Sequence, residues 1–137
     1  MPPYKGINEM KQEIINTIID GYKEAFIFAE SATDQHGEHI DNLDPYDFSQ
    51  DANDRIAQDV TAFINANIAA ISEAMADGAT AIQIGNDLHL TRNGHGVGFW
   101  DRPETYTTNT ANRLTNAAKF MPNVSAYIDN NNLINIE

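Results

Sequence analysis

Apolar residues recur at Ile7, Met10, Ile14, Ile18, Tyr22, Ala25 and Ala29, the three-and-four spacing that gathers side chains on one face of a helix. This spacing predicts a first helix from Ile7 to about Glu30. Gly21 interrupts it at a cost of about 1 kcal/mol relative to alanine, which marks a close contact with a neighbouring helix. Phe26, Ile27 and Phe28 make its last turns apolar nearly all round, the pattern of a buried end. A second stripe of Ile56, Val60, Phe63, Ile64, Ile68, Ile71 and Met75 predicts a second long helix. Ser49 is placed to cap it, Asp51 and Asp54 suit the positive end of its dipole, and Asp77-Gly78 ends it. Between the two, Ser31 to Phe48 is polar, broken by Gly37 and Asp44-Pro45, and reads as a long loop.

The period then changes. Asp87-Leu88-His89-Leu90-Thr91-Arg92 alternates polar and apolar residues, Asn93-Gly94 tolerates positive φ, and Val97-Gly98-Phe99-Trp100 follows as a returning strand, so the segment predicts a β-hairpin of open register. A third helix is expected to start at Pro103, carry Leu114, Ala117, Ala118 and Met121 on its apolar stripe, and stop at Pro122. Val124 to Ile128 and Leu133 to Ile136 predict a second hairpin turning through Asp129-Asn130-Asn131-Asn132. The expected architecture is α+β, a single domain over residues 1–137. Two long N-terminal amphipathic helices precede a hairpin, a helix and a hairpin, with a small antiparallel sheet covered by helices. The alternation of a doubly wound fold is absent, and no glycine-rich loop joins a strand to a helix, so nucleotide binding has no support.

With 137 residues, 42% hydrophobic and 20% charged, the chain is long enough for a core of its own and has the composition of a globular protein. It has no cysteine, which excludes disulfides and thiolate chemistry and favours a cytosolic setting. The first residues, Met1-Pro2-Pro3-Tyr4-Lys5, lack the basic-then-apolar pattern of a signal peptide, and no run of about 18 apolar residues occurs, so no membrane association is expected. Twenty Asp and Glu against eight Lys and Arg give a formal net charge of −12. Such a surface repels phosphate backbones, disfavours direct nucleic-acid binding and suits a basic protein partner. Solubility alone is the plainer account of the same charge.

From Ile84 to Arg102 the chain reads I-G-N-D-L-H-L-T-R-N-G-H-G-V-G-F-W-D-R. This resembles a motif of small uncharacterised proteins encoded by tailed bacteriophages, G-H-D-F-W-L-T-R-N-G-H-G-A-G-F-W-D-R in its usual form. Gly85, Asp87, Leu90 to Gly96 and Gly98 to Arg102 match it. Asn86 stands where that family commonly has histidine, and His89 where it has an aromatic residue. Thr33-Asp34, Gly37-Glu38 and Asp41 are similar to the same family's acidic S-T-D-x-x-G-E-x-x-D loop. The resemblance implies phage origin and a life in the cytoplasm of an infected bacterial host.

The motif concentrates polar chemistry in Asp87, Arg92, Asn93, His95, Trp100, Asp101 and Arg102, the expected binding residues. No catalytic set is assigned. The candidates are His95 as general base, Asp101 to orient it and Arg92 to stabilise a developing anion. The structural alternative makes His95 a turn residue, packs Trp100 on the first or second helix, and has Asp101 and Arg102 tie the segment by hydrogen bonds. No cofactor is assigned either. Asp34, Glu38 and Asp41 are the candidate ligands for a divalent cation, although their spacing is not that of an EF-hand and His36-x-x-His39 is a short signal by itself.

The leading functional expectation is a phage accessory protein that binds and inhibits or modulates a host or phage protein. It would be a counter-defence factor of the anti-restriction or anti-CRISPR kind, or an acidic DNA mimic filling a basic nucleic-acid-binding groove. The alternative is a small hydrolase or nuclease using the His/Asp/Arg cluster. A structural role in the virion has no coiled-coil or repeat pattern behind it.

Overall fold

A computed structural model describes residues 10–137. Ile7, the first position of the predicted helical stripe, lies outside the described residues. The first helix, α1, runs Gln12–Ala29 and buries Ile15, Ile18, Tyr22, Ala25 and Phe26, the face set by its apolar spacing. Ser49 caps α2 (Gln50–Ala66), its hydroxyl accepting the Ala52 N–H at 3.0 Å. The second long helix of the sequence reading is two helices, because Asn67 leaves helical geometry at φ −133° and its side-chain amide donates to the Phe63 carbonyl at 2.8 Å. The chain resumes as α3 (Ile68–Ala76), which ends at Asp77-Gly78 as expected, with Gly78 at φ 113°. The apolar stripe runs through both pieces, so spacing alone reads across the break.

The first predicted hairpin is absent. Ala81–Arg92 is a helix, α4, capped by the Thr80 hydroxyl, and Phe99–Asp101 is a single 3₁₀ turn. The Asn93-Gly94 pair ends α4 instead of turning a strand. Gly94 takes φ 65°, its N–H donates to the Thr91 carbonyl, and the His95 N–H reaches the Leu90 carbonyl at 3.0 Å. These two bonds are the Schellman closure, which needs the same positive φ as a hairpin turn. The third predicted helix begins later than Pro103, as α5 (Thr108–Lys119) behind a Thr107 cap.

A mixed five-stranded sheet replaces the antiparallel one. Its strands are β1 (Ala32–Thr33), β2 (His39–Ile40), β3 (Asp47–Phe48), β4 (Ala126–Ile128) and β5 (Leu133–Ile136), in the order β2-β1-β4-β5-β3. The C-terminal hairpin β4/β5 stands as expected, with Ile128 opposite Ile134. The segment read as a loop supplies the other three strands, and β1 pairs parallel with β4 and β3 parallel with β5. Two aspartates close the two hairpins in the same way. Asp34 accepts the His36 and Glu38 N–H groups, and Asp129 accepts those of Asn131 and Leu133. One core joins helices and sheet through Ile18, Phe26, Ile64, Leu88, Leu114, Ile128 and Ile134. The fold is α+β. Among the described residues no helix is long and apolar enough to cross a membrane.

The helix pair α1/α4 is the most extensive contact in the fold, and it positions the site. Gly21 and Gly85 face each other's helices there. A Cβ on Gly85 would lie 2.0 Å from the Ile18 carbonyl oxygen, and one on Gly21 2.2 Å from that of Ile82. The close contact inferred from Gly21 is therefore present, with Gly85 as its counterpart. Asn86 seals it by donating to the Gly21 carbonyl at 2.6 Å.

Candidate functional site

Because α4 lies buried nearly all round, its polar residues need internal partners. Asp87, fully buried, accepts from the Arg102 Nε at 2.6 Å and from the Tyr106 hydroxyl at 2.7 Å. Burial raises the Asp87 pKa against those two hydrogen bonds, and burial likewise raises that of Tyr106. Arg92, also buried, donates through Nε to the Pro122 carbonyl at 2.8 Å and through Nη1 to the Tyr22 hydroxyl at 3.1 Å, with Asp59 3.0 Å away. Asn93 makes a reciprocal pair with the backbone of Val124, both bonds 3.0 Å long. This pair anchors the end of α4 to the chain entering β4.

The loop Gly94-His95-Gly96-Val97 stands exposed on this frame. Its far end is tied down by Asp101, whose carboxylate accepts the Gly98 N–H at 2.9 Å. Phe99, not Trp100, enters the core, stacking on Phe63 at 6.3 Å and meeting Tyr106 edge-on at 5.4 Å. Trp100 remains 49% exposed. Its ring borders a cleft of about 220 Å³ with Leu90, Thr91, Gly94, Gly96, Val97 and Lys119.

His95 meets neither of its expected partners. Its Nε2 pairs with Glu30 Oε2 at 2.5 Å, and the same carboxylate oxygen lies 2.7 Å from the Nε2 of buried His89. The three catalytic candidates therefore have different surroundings. Asp101 is committed to the loop backbone, and the Arg92 guanidinium is enclosed with 2% of its side chain exposed. Burial pushes the Glu30 pKa up, but the hydrogen bonds from His89 and His95 outweigh it and hold the carboxyl at about 2. Burial lowers the pKa of His89, against the pull of Glu30, and favours its neutral ring. The Nδ1 atom of His89 is buried without a hydrogen-bond partner among the described residues, and the ring packs against Tyr22 and Phe26 at 4.8 and 4.9 Å.

In the acidic loop, Asp34 is occupied in closing β1/β2, while Glu38 and Asp41 are exposed and Asp41 pairs with His39 at 2.7 Å. Among the described residues, Glu30, His89 and His95 are the group of three whose donor atoms converge, all within 4.8 Å of one another. Glu30, Asp59 and Tyr106 were not singled out from sequence. The apolar end of α1 is buried only at Phe26, Phe28 being 89% exposed, and Glu30 beyond it is half-buried, a setting in which a carboxylate requires a hydrogen-bonding partner. Asp59 and Tyr106 had no readable signal, since their partners Arg92 and Asp87 lie 33 and 19 residues away. No protein-family model matches this chain, and neither the curated proteins nor the solved structures include a match.

Proposed function

We propose that this chain is a phage-encoded accessory protein, acting in the cytoplasm of an infected bacterium by binding a host or phage protein and inhibiting or modulating it. A counter-defence factor of the anti-restriction or anti-CRISPR kind would work this way. The observation behind the reading is an aromatic tip set among carboxylates. Phe28 is 89% exposed and lines a concavity of about 480 Å³ with Asp20, Glu24, Asp44, Lys23 and Ile27. The Lys23 ammonium lies 5.4 Å from the Phe48 ring centroid, an arrangement that directs the one basic group toward that ring. An exposed aromatic anchor rimmed by acid suits a partner with a basic surface around an apolar pocket. The DNA-mimic form of the reading places that partner surface in a nucleic-acid-binding groove.

Affinity capture from infected cells tests this. The wild-type chain is expected to retain a partner that Phe28→Ala and the Asp20→Lys/Glu24→Lys double variant both lose. For a DNA mimic the retention weakens steeply with added salt. A partner held equally by all three proteins would remove this face from the function, and salt-insensitive retention would remove the mimic.

The hydrolase or nuclease reading keeps one supporting observation. The side chain of His95 is 30% exposed and hydrogen-bonded to a nearly enclosed carboxylate, the pairing a general base uses. Glu30 would then hold the orienting role first given to Asp101. The cleft beside the loop does not include His95 in its lining, which leaves this reading second.

A further inference from the structure

We propose that Glu30, His89 and His95 form a binding site for one divalent first-row transition-metal ion, zinc foremost, with coordination positions left open on the solvent side of His95. Three parts of the fold bring these groups together: the residue that follows α1, the last turn of α4, and the loop after it. The Schellman closure at Gly94 sets the direction of the loop, so that His95 returns over the helix end beside His89. Both imidazoles present Nε2 to the same oxygen of Glu30.

Two imidazole nitrogens and one carboxylate oxygen are a donor set that zinc and other first-row ions accept, with open positions remaining. Calcium and magnesium, which take oxygen ligands, do not suit it. Bond lengths near 2.0–2.2 Å put tetrahedral donors about 3.3 Å apart. To admit an ion at those bond lengths, the Nε2–Oε2 separations of 2.7 and 2.5 Å have to open by less than about 1 Å and the remaining donor pair, within 4.8 Å, has to settle at the same spacing. Glu30 and His95 retain solvent contact at 15% and 30% of their side-chain surface, while His89 has none, so entry is from the loop side. A metal at Nε2 of His89 would take the place of the Nε2–H bond to Glu30 and leave the ring proton on Nδ1, which has no hydrogen-bond partner among the described residues. An ion here would fasten the exposed loop to both helices.

The full, untagged chain, stripped with chelator, is the material for the test. Competition with a chromogenic chelator is expected to give one Zn²⁺ per chain, with Co²⁺ at the same site producing visible absorption. Zinc should raise the melting midpoint, because selective binding to the native state stabilises it. His95→Ala, at an exposed position that tolerates truncation, should weaken zinc binding by at least about tenfold and remove the thermal shift. Glu30→Gln should weaken it as well. The His36→Ala/His39→Ala double variant separates this site from the acidic loop and should bind as the wild type does. Absence of one-to-one binding, undiminished affinity in folded His95→Ala, or loss of binding in the His36/His39 variant would each overturn the assignment.

Discussion

At the crossing of α1 and α4, glycine is needed because it has no volume. A Cβ at Gly85 would sit 2.0 Å from the Ile18 carbonyl oxygen and 2.6 Å from the Tyr22 nitrogen, both backbone atoms of a helix that cannot yield locally. At the far end of the same helix, glycine is needed for the sign of a dihedral. Gly94 at φ 65° has nothing within 4 Å of the place a Cβ would occupy. The same residue type thus serves packing at one place and chain direction at another. Which purpose it serves determines whether a substitution damages the core or only the loop that carries His95.

The largest effect is expected at the crossing. Gly85→Ala must push two helices apart along the most extensive contact of the fold, and should cost about 3 kcal/mol or more, at or beyond the upper end for overpacked cores. Urea or guanidinium midpoints measure it. A loss below about 1 kcal/mol, within what a relaxed overpacked site shows, would mean that α1 and α4 are not in the close register described.

Asp87 connects the two regions, lying two residues beyond Gly85 and receiving Arg102 and Tyr106 from beyond the loop. Asp87→Ala strands a buried tyrosine hydroxyl and removes the partner of Arg102, and should cost about 2–3 kcal/mol. Asp87→Asn retains an acceptor and should cost less. Equal losses in the two variants would show that Tyr106 does not depend on this acceptor.

The same contrast decides how much could be read in advance. Helix α1, the Ser49 cap, the stop at Gly78 and the β4/β5 hairpin follow from local signals: periodicity, capping chemistry and turn residues. Helix α4 does not, because Asp87, His89 and Arg92 are polar yet buried, which erases the one-sided apolar face that periodicity detects. The alternation from Asp87 to Arg92 then imitates a strand, and Asn93-Gly94 imitates its turn, since a Schellman closure and a hairpin require the same backbone freedom. The strands β1, β2 and β3 are two residues each. Their pairing is fixed by distant partners, beyond the reach of any local pattern. The candidate site was half legible for the same reason. His95 was visible as a histidine among glycines, while Glu30, its partner, lies 65 residues away and comes near only through the α1/α4 crossing.

A smaller effect is expected at Gly98, where both requirements meet. Its φ of 150° and ψ of −147° fall in a region essentially confined to glycine, and a Cβ there would lie 2.0 Å from the Thr91 hydroxyl. Gly98→Ala should cost about 2 kcal/mol. Introducing the same change into Thr91→Ala removes the steric part, so the additional loss should fall while the backbone part persists. An unchanged loss in that background would assign the whole effect to the dihedral.

The smallest effect should come from Gly94, and its value lies in the order of substitutions. With open space around it, Gly94→Ala faces only the cost of a left-handed conformation, about 1 kcal/mol. Asparagine tolerates that conformation better than alanine does, so Gly94→Asn should be the milder variant. At Gly85 the order must invert, because asparagine adds more atoms than alanine to a space that admits neither. Denaturation midpoints of the four variants test the inversion directly. If asparagine were milder at both positions, the crossing would be governed by backbone conformation as well, and the separation between a packing glycine and a directing glycine would fail.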